Sequence, residues 1–436
     1  MASASHKSVA GASLGAEALL QELAGPATKI RLGLERMQEA LLACGLPVRL
    51  PFPVVMVAGT NGKGSTVAFL EALARGAGYA TAAYTSPHIW DFRERLRIGG
   101  QPLAEDRWVR ALAALAPVAA RIPLTYFELS TLAAISLILE EEPDLAILEV
   151  GLGGRLDAVN AFVPDLSIIT SVDLDHQALL GPDRESIGRE KAGILRAGGM
   201  ALYGDAQNPC ESVLSQAAEL GTKLERLGTH FGWRKGFFYG ADGWEGLAPS
   251  PMQPQSPAQW DNLALALAAS FHLHHRLPKL WPPAAAWRER PILPGRCQCI
   301  QPWGTDFPSV WVDVAHNPQA IAALGKLLTD CKQGTVHAYW GMMADKDMVQ
   351  CAAPLLGLVA DWTLIEFPGL ERAATATQLR AAVPNVTIRA VVDHQDLPKR
   401  LEEDAQQGSS RDIFLCFGSF HVLAALPPSW FGEDYP

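Results

Sequence analysis

Cysteine is sparse, with seven in 436 residues. Only Cys297 and Cys299 lie close together, and C-x-C is not a zinc-ligand spacing. The alternation over Arg296–Ile300 suggests a strand that points both thiols the same way. The cysteines are therefore read as reduced structural thiols rather than a redox pair. No apolar run reaches the roughly 20 residues that span a bilayer. The first fifteen residues are small and polar and hold no apolar block of the secretory type. A cytoplasmic protein with no membrane partner is expected. A basic surplus is also missing: the formal net charge is −10, which argues against a nucleic-acid binder. Anionic substrates remain open, because helix N-termini and a few Lys or Arg side chains can hold them locally.

The composition that is present, 49% hydrophobic and 19% charged, is that of a globular chain. Its length suits two or three compact units. A helical pattern at Ala16–Leu23 marks the start of the folded part. Strand-like segments at Val54–Ala58, Thr81–Thr85, Leu145–Val150 and Leu166–Ser171 alternate with helical ones at Ser65–Ala77, Phe127–Glu141 and Arg184–Leu195. Such alternation implies an α/β fold with a parallel sheet, and ligand sites at the carboxyl ends of its strands. Prolines cluster from Leu277 to Pro283 and recur at Pro291 and Pro294. A domain boundary is placed there, dividing 1–288 from 289–436. A second alternating series follows, with strands at Ser309–Asp313, Thr335–Trp340, Trp362–Glu366, Thr387–Val391 and Asp412–Phe417.

The segment Gly59-Thr60-Asn61-Gly62-Lys63-Gly64-Ser65 lies between a strand and a helix. Its glycines let backbone N–H groups converge on an anion, and the helix N-terminus adds partial positive charge. Lys63 can reach terminal phosphates, and Ser65 or Thr66 can face a metal. The pattern departs from G-x-x-x-x-G-K-[ST], because a glycine separates the lysine from the hydroxyl. Four further segments fall at strand ends or just beyond: Thr85-Ser86-Pro87-His88, Leu148 to Asp157, Asp173-Leu174-Asp175-His176, and Glu190 to Ile194. A Ser hydroxyl, a carboxylate and a His could hold Mg²⁺ beside phosphates, since Mg²⁺ takes oxygen ligands and keeps waters. Histidine is an unusual ligand for it. On its residues alone His176 is as well read as a hydrogen-bonding core histidine.

The ordered set GTNGKGS, TSPH, FRERLRI, TYFE, LEVGLGGRLDAVN, DLDH, GPDRESIGREKAGI, LPGR, DVAHNP and CFGSFH resembles the folylpolyglutamate synthase/dihydrofolate synthase family of the Mur-ligase superfamily. It looks most like the bifunctional bacterial form, and the resemblance runs from about residue 30 to about 425. It implies a P-loop-type parallel-sheet ATPase domain followed by a smaller Rossmann-like α/β domain. It implies ATP on Gly59, Thr60, Asn61, Gly62, Lys63, Gly64, Ser65 and Thr66, with Asn262, Arg296, Asp313 and His316 completing the nucleotide site. Ser86, Glu149 and His176 match magnesium ligands. Lys191 matches a lysine that the family carbamylates, with a plain salt bridge to Glu190 or Asp157 as the alternative. Thr125, Phe127, Asp157 and Ala158 match pterin contacts, although a Phe near a helix start more often packs in a core. For His316 the alternative is an N-capping or turn-stabilising residue. The FRER segment matches a mobile cover over the site, or is a solvated surface. Gly418-Ser419-Phe420-His421 lies near the cleft with no role assigned to His421.

The chemistry implied is an ADP-forming ligation. A folate-type carboxylate takes the γ-phosphoryl group of ATP, and L-glutamate displaces phosphate from the acyl phosphate. Lys63, His176 and Lys191 are the candidate catalytic residues. Dihydropteroate and reduced folates are the expected acids, a monovalent cation is a further candidate cofactor, and a monomer is expected. A Mur-type cell-wall ligase shares the loop but carries a substrate domain ahead of it, for which the residues before Gly59 leave no room. A catalytically silent nucleotide-binding scaffold would not need Lys63, Ser86, Glu149, His176, Lys191, Asp313 and His316 together. A switch GTPase would carry a regular phosphate loop. Asp173 adds a carboxylate for which the sequence offers no explanation.

Overall fold

The computed structural model describes residues 15–24, 30–240, 244–247, 256–283, 291, 294–331 and 334–432. The main sheet of the first lobe holds eight strands: β1 (Val54–Ala58), β2 (Thr81–Tyr84), β3 (Leu96–Ile98), β4 (Gln101–Pro102), β5 (Leu145–Glu149), β6 (Leu166–Ile169), β7 (Met200–Tyr203) and β8 (Lys223–Arg226). They form one sheet in the order β4-β3-β2-β5-β1-β6-β7-β8. β2, β5, β1, β6, β7 and β8 pair in parallel, and β3 and β4 run antiparallel at one edge. β1 is Val-Val-Met-Val-Ala and is buried throughout, as a central strand covered on both faces must be. Its residues alternate between two cores. Val54, Met56 and Ala58 face one, and Val55 and Val57 face the other.

The helices of this lobe are α1 (Ala16–Ala24), α2 (Glu35–Cys44), α3 (Lys63–Gly76), α4 (Glu105–Ala119), α5 (Tyr126–Glu141), α6 (Gln177–Leu180), α7 (Arg184–Ala192), α8 (Glu211–Glu219) and α9 (Pro257–Leu273). α1, α4 and α5 cover the first core, and α3 and α9 the second. A small antiparallel sheet of β9 (Phe231–Arg234), β10 (Phe237–Gly240) and β11 (Glu245–Leu247) packs on α9 through Trp233, Phe238 and Trp260.

The second lobe holds β12 (Gln298–Ile300), β13 (Ser309–Asp313), β14 (Val336–Trp340), β15 (Asp361–Glu366), β16 (Ile388–Asp393) and β17 (Ile413–Phe417), in the order β12-β13-β17-β14-β15-β16. All pairs but β12–β13 are parallel. β17 again feeds two cores by alternation: Ile413, Leu415 and Phe417 on one face, Phe414 and Cys416 on the other.

The cut expected at 288/289, and Leu293 of the LPGR motif, lie outside the described residues. Two expectations are corrected. The strand read over Arg296–Ile300 begins only at Gln298. Cys297 precedes it in a left-handed turn at φ 51, with its amide and thiol both on Asp313 Oδ2, whereas Cys299 is exposed. The two thiols do not share a strand face. The FRER segment is not a solvated patch. Asp91 accepts from Arg93 N and Glu94 closes a capping box, so Phe92–Arg95 forms a 3₁₀ turn with Phe92 and Arg95 buried.

Candidate active site

A cavity of about 680 Å³ lies between the lobes, at the carboxyl ends of their strands. From the first lobe Gly59 to Ser65, Ser86, Glu149, His176, Lys191 and Asn262 line it. From the second come Arg296, Asp313 and His316. Thr66 does not reach it. That residue is fully buried under the loop with its hydroxyl 3.4 Å from Asn262 Oδ1, so only Ser65 of the two hydroxyls faces the cavity.

The loop after β1 is held by its neighbours. Thr60 N donates to Ser171 O at 2.7 Å, and Thr170 Oγ1 donates to Asn61 O at 2.6 Å. Thr60 Oγ1 donates to the carbonyl of Asp173 and accepts from its amide. That backbone clasp is what Asp173 contributes here; its carboxylate turns to Leu174 N. Gly62 sits at φ 89 before α3, and a Cβ there would lie 2.3 Å from Asn262 Oδ1, so glycine is required twice over. Lys63 Nζ folds back onto Gly59 O at 3.0 Å and Thr60 O at 3.3 Å. Burial lowers its pKa, opposed first by Glu149.

Glu149 ends β5 and accepts Ser86 N on Oε2 at 3.2 Å, which leaves Oε1 for another partner. Burial raises its pKa and Lys63 pulls it back. His176 stands in a left-handed turn at φ 49, and burial lowers its pKa to about 4 despite Asp175. Its imidazole is neutral near pH 7 and has a lone pair to offer. Among the described residues no three His, Cys, Asp or Glu side chains gather closely enough to cage an ion by themselves. One carboxylate, one hydroxyl and one neutral imidazole beside a phosphate loop suit an ion that takes its remaining ligands from phosphate and water, as Mg²⁺ does.

Lys191, on α7, is buried, and among the described residues its ammonium has no hydrogen-bond or ion-pair partner. The alternative salt bridge is not formed. Glu190 pairs with Arg155 at 2.7 Å, and Asp157 accepts the amides of Leu152 and Val159. Burial, with Lys63 adding to it, lowers the Lys191 pKa to about 7.

A second recess of about 280 Å³ adjoins the first and shares Ser86, Arg95, Tyr126 and His176 with it. Thr125, Phe127, Asp157 and Ala158 line it. Thr125 caps α5 in a reciprocal box with Glu128. The Phe127 ring lies on Gly151, where a Cβ would be 2.6 Å from Cζ, and stacks with Tyr84 at 6.2 Å. Burial raises the Asp157 pKa to about 7, against the backbone N–H groups that favour its anion.

In the second lobe, Asp313 ends β13 and accepts Ala315 N and Cys297 N, each at 2.7 Å. Arg296 lies 5.3 Å over the Phe420 ring. His316 Nδ1 donates to Val314 O at 2.8 Å, and its Nε2 points at Asp175 Oδ2, 3.5 Å away.

Several groups escaped the sequence reading. Asp175 also pairs with Lys346, in the loop after β14, and so ties the lobes together. The position of Lys346 beyond a strand end was a usable signal. Asn61 and Asn317 exchange amide hydrogen bonds across the same gap at 2.8 and 3.2 Å. Trp90 Nε1 donates to Leu426 O, fastening the segment before FRER to the second lobe. Glu17 of α1 also lines the cavity, and nothing in its sequence context marked it.

Residues 295–420 match the family model "Mur ligase, glutamate ligase domain". The "dihydrofolate synthase/folylpolyglutamate synthase" of Escherichia coli is 39% identical over 411 residues, covering 91% of this chain and 90% of its own length. The structure of Escherichia coli FolC in complex with DHPP and ADP superposes with a TM-score of 0.82 at 36% identity, covering 94% of this chain and 96% of that one. A bifunctional folylpolyglutamate synthase/dihydrofolate synthase with Mn, AMPPNP and L-glutamate bound gives a TM-score of 0.78 at 36% identity, over 91% of this chain and 93% of that one.

Proposed function

Since the chain belongs to the dihydrofolate synthase/folylpolyglutamate synthase family, we propose that its interlobe cavity activates a folate-type carboxylate with ATP and hands it to glutamate. The enzyme is an ADP-forming ligase that joins L-glutamate to dihydropteroate and to reduced folates, and it uses ATP and a divalent metal. The observation that carries the site assignment is continuity. The phosphate loop, Glu149 and the second-lobe groups Asp313 and His316 line one cavity, which opens through Ser86 and His176 into the recess lined by Phe127 and Asp157.

In this reading the pterin lies against Phe127, with Asp157 facing its N–H groups. The carboxylate end passes Ser86 and His176 towards the γ-phosphate. A carboxylate oxygen attacks phosphorus, the bond to the ADP oxygen breaks, and an acyl phosphate forms. The glutamate amine then adds to the acyl carbon, and the phosphate leaves with the oxygen that joined it to carbon. The loop amides and Lys63 hold the phosphates, with Lys63 exchanging its two carbonyl acceptors for phosphate oxygens. Arg296, Asp313, His316 and Asn262 hold the nucleotide. Ser86, Glu149 and His176 would hold Mg²⁺, which when bound offsets charge on the phosphate oxygens. Lys191 is a buried amine whose pKa burial lowers to about 7, which favours the neutral form that adds CO₂. Its carbamate would replace a cation with anionic oxygens suited to a hard ion. Water exclusion by the two lobes protects the acyl phosphate.

The lobes are taken as 1–288 and 289–436, and the chain as a cytoplasmic monomer without nucleic-acid partners. Among the described residues no helix is long and apolar enough to cross a membrane. The test is ADP release with dihydropteroate, and with a reduced folate monoglutamate, each with and without L-glutamate. Release is expected only when both condensation partners are present, for either acid. Turnover with the pteroate alone would remove the second activity.

A further inference from the structure

Four carboxylates line the large cavity: Glu17, Glu149, Asp175 and Asp313. Three are committed. Glu149 belongs to the candidate metal set, Asp175 holds Lys346 and faces His316, and Asp313 is filled by two backbone amides. Glu17 differs. It comes from α1, which is docked by the buried Ala16 and Leu20 and by the Ala16 amide on Glu105 Oε1. Its Oε1 accepts the Tyr126 hydroxyl at 2.9 Å, and its Oε2 lies 3.8 Å from His88 Nε2. Among the described residues it has no Lys or Arg partner.

His88 does not neutralise Glu17. Arg95 Nε donates to His88 Nδ1 at 2.9 Å, which leaves the imidazole proton on Nε2, turned towards Glu17. A ring nitrogen that accepts from a guanidinium carries no proton of its own, so His88 brings no positive charge to Glu17. Glu17, His88 and Tyr126 thus gather at one end of the cavity, and the second-lobe segment Gly418–His421 lines the same cavity. That end lies beside Arg95 and Tyr126, which also line the pterin recess. It is the place from which an amine could approach an acid activated at the phosphate loop.

Resting on the ligase reading above, we propose that Glu17 binds the α-ammonium of the incoming L-glutamate, with the Tyr126 hydroxyl holding its carboxylate in place. The ammonium is the one cationic group on that substrate, and Glu17 is, among the described residues, a cavity carboxylate with neither a cation nor backbone amides to hold it. Glu17 thereby distinguishes an amino acid from a plain dicarboxylate before the amine loses its proton to react.

The test is Glu17→Gln in the full chain, since the amide oxygen can still accept from Tyr126. The KM for L-glutamate should rise about tenfold, the low end for a charge-assisted hydrogen bond in a site open to water. The KM values for ATP and dihydropteroate should stay within about twofold on the same grounds. Competitive inhibition by glutarate, which lacks the amine, should hold or strengthen. Glu17→Asp keeps the charge and should recover most of the glutamate affinity; if Glu17→Gln fails to fold, Glu17→Ser, which also removes the charge, carries the comparison of glutamate with glutarate. Equal weakening of glutamate and glutarate, or an unchanged KM for glutamate, would overturn the proposal. Absence of turnover in the unsubstituted enzyme would instead overturn the ligase reading beneath it.

Discussion

Replacing Asp175 with Asn should loosen the two lobes from each other. The Asp175 and Lys346 side chains are each only 10% exposed, and they meet across the interlobe cleft. Removing one partner of a buried ion pair costs about 3–5 kcal/mol, because the other charge is left uncompensated. Asn keeps the volume and one acceptor for Lys346, which points to the lower end, about 3 kcal/mol or roughly a hundredfold in an equilibrium. Burial pushes the Asp175 carboxyl up, but His316, Lys346 and His176 together take it well below the usual carboxylate range. A carboxyl depressed in the folded state contributes fully above its unfolded pKa, and the contribution fades only as pH falls through the folded value. Loss of activity between pH 7 and 5 is therefore not assigned to Asp175. The assay is a double-mutant cycle with Lys346→Met, read on kcat/KM for ATP and on thermal unfolding. Each single variant should lose about 2–3 kcal/mol, and the double little more than either, for a coupling of about 2 kcal/mol. High salt should not mimic the effect, since the pair is shielded from screening. Additive losses, or an Asp175→Asn enzyme indistinguishable from the parent, would refute the reasoning.

Lys191→Ala should abolish turnover at ambient CO₂, and near-normal ADP release would remove the carbamate. The folded Lys191 pKa of about 7 lies below the ordinary lysine value, so the unfolded chain binds the extra proton between those limits and stability rises with pH across them. Lys191→Met should accordingly be the more stable protein at pH 6 in CO₂-free buffer, by several kcal/mol in order of magnitude, with the advantage fading towards pH 10; a constant difference in unfolding free energy would contradict this. Gly151→Ala puts a methyl carbon 2.6 Å from Phe127 Cζ. Overpacking of this kind costs about 1–3 kcal/mol, so the KM for dihydropteroate should rise about tenfold with that for ATP unchanged. Equal effects on both substrates would show that the ring does not bound the pterin recess.

The central elements were legible because their residues are one-sidedly determined. Val54–Ala58 has no polar residue to offer solvent and can only be an inner parallel strand, and Ile413–Phe417 repeats that logic in the second lobe. The loop after Ala58 announced itself through spacing, because three glycines with a lysine between strand and helix leave few other uses. What stayed hidden depends on distance in the chain. Asp175 meets Lys346 across 171 residues, and Asn61 meets Asn317 across 256. No local periodicity encodes such pairings. Thr66 looked like a second hydroxyl for the site, but one residue of helical rotation carries it under the loop. Cys297 looked like a strand residue, but Asp313 draws its amide and thiol inward and the backbone turns left-handed to reach. Glu17 carried no signal, since a glutamate in the first turn of an amphipathic helix is ordinarily a solvated charge.

The most direct test of carboxylate activation in this cavity follows the oxygen. Dihydropteroate labelled with ¹⁸O at both carboxylate positions is turned over with ATP and L-glutamate, and the phosphate released is analysed by mass. One labelled oxygen in each phosphate, with the other retained in the amide, is the predicted result. Phosphate released without label would contradict an acyl phosphate formed from the folate carboxylate and ATP.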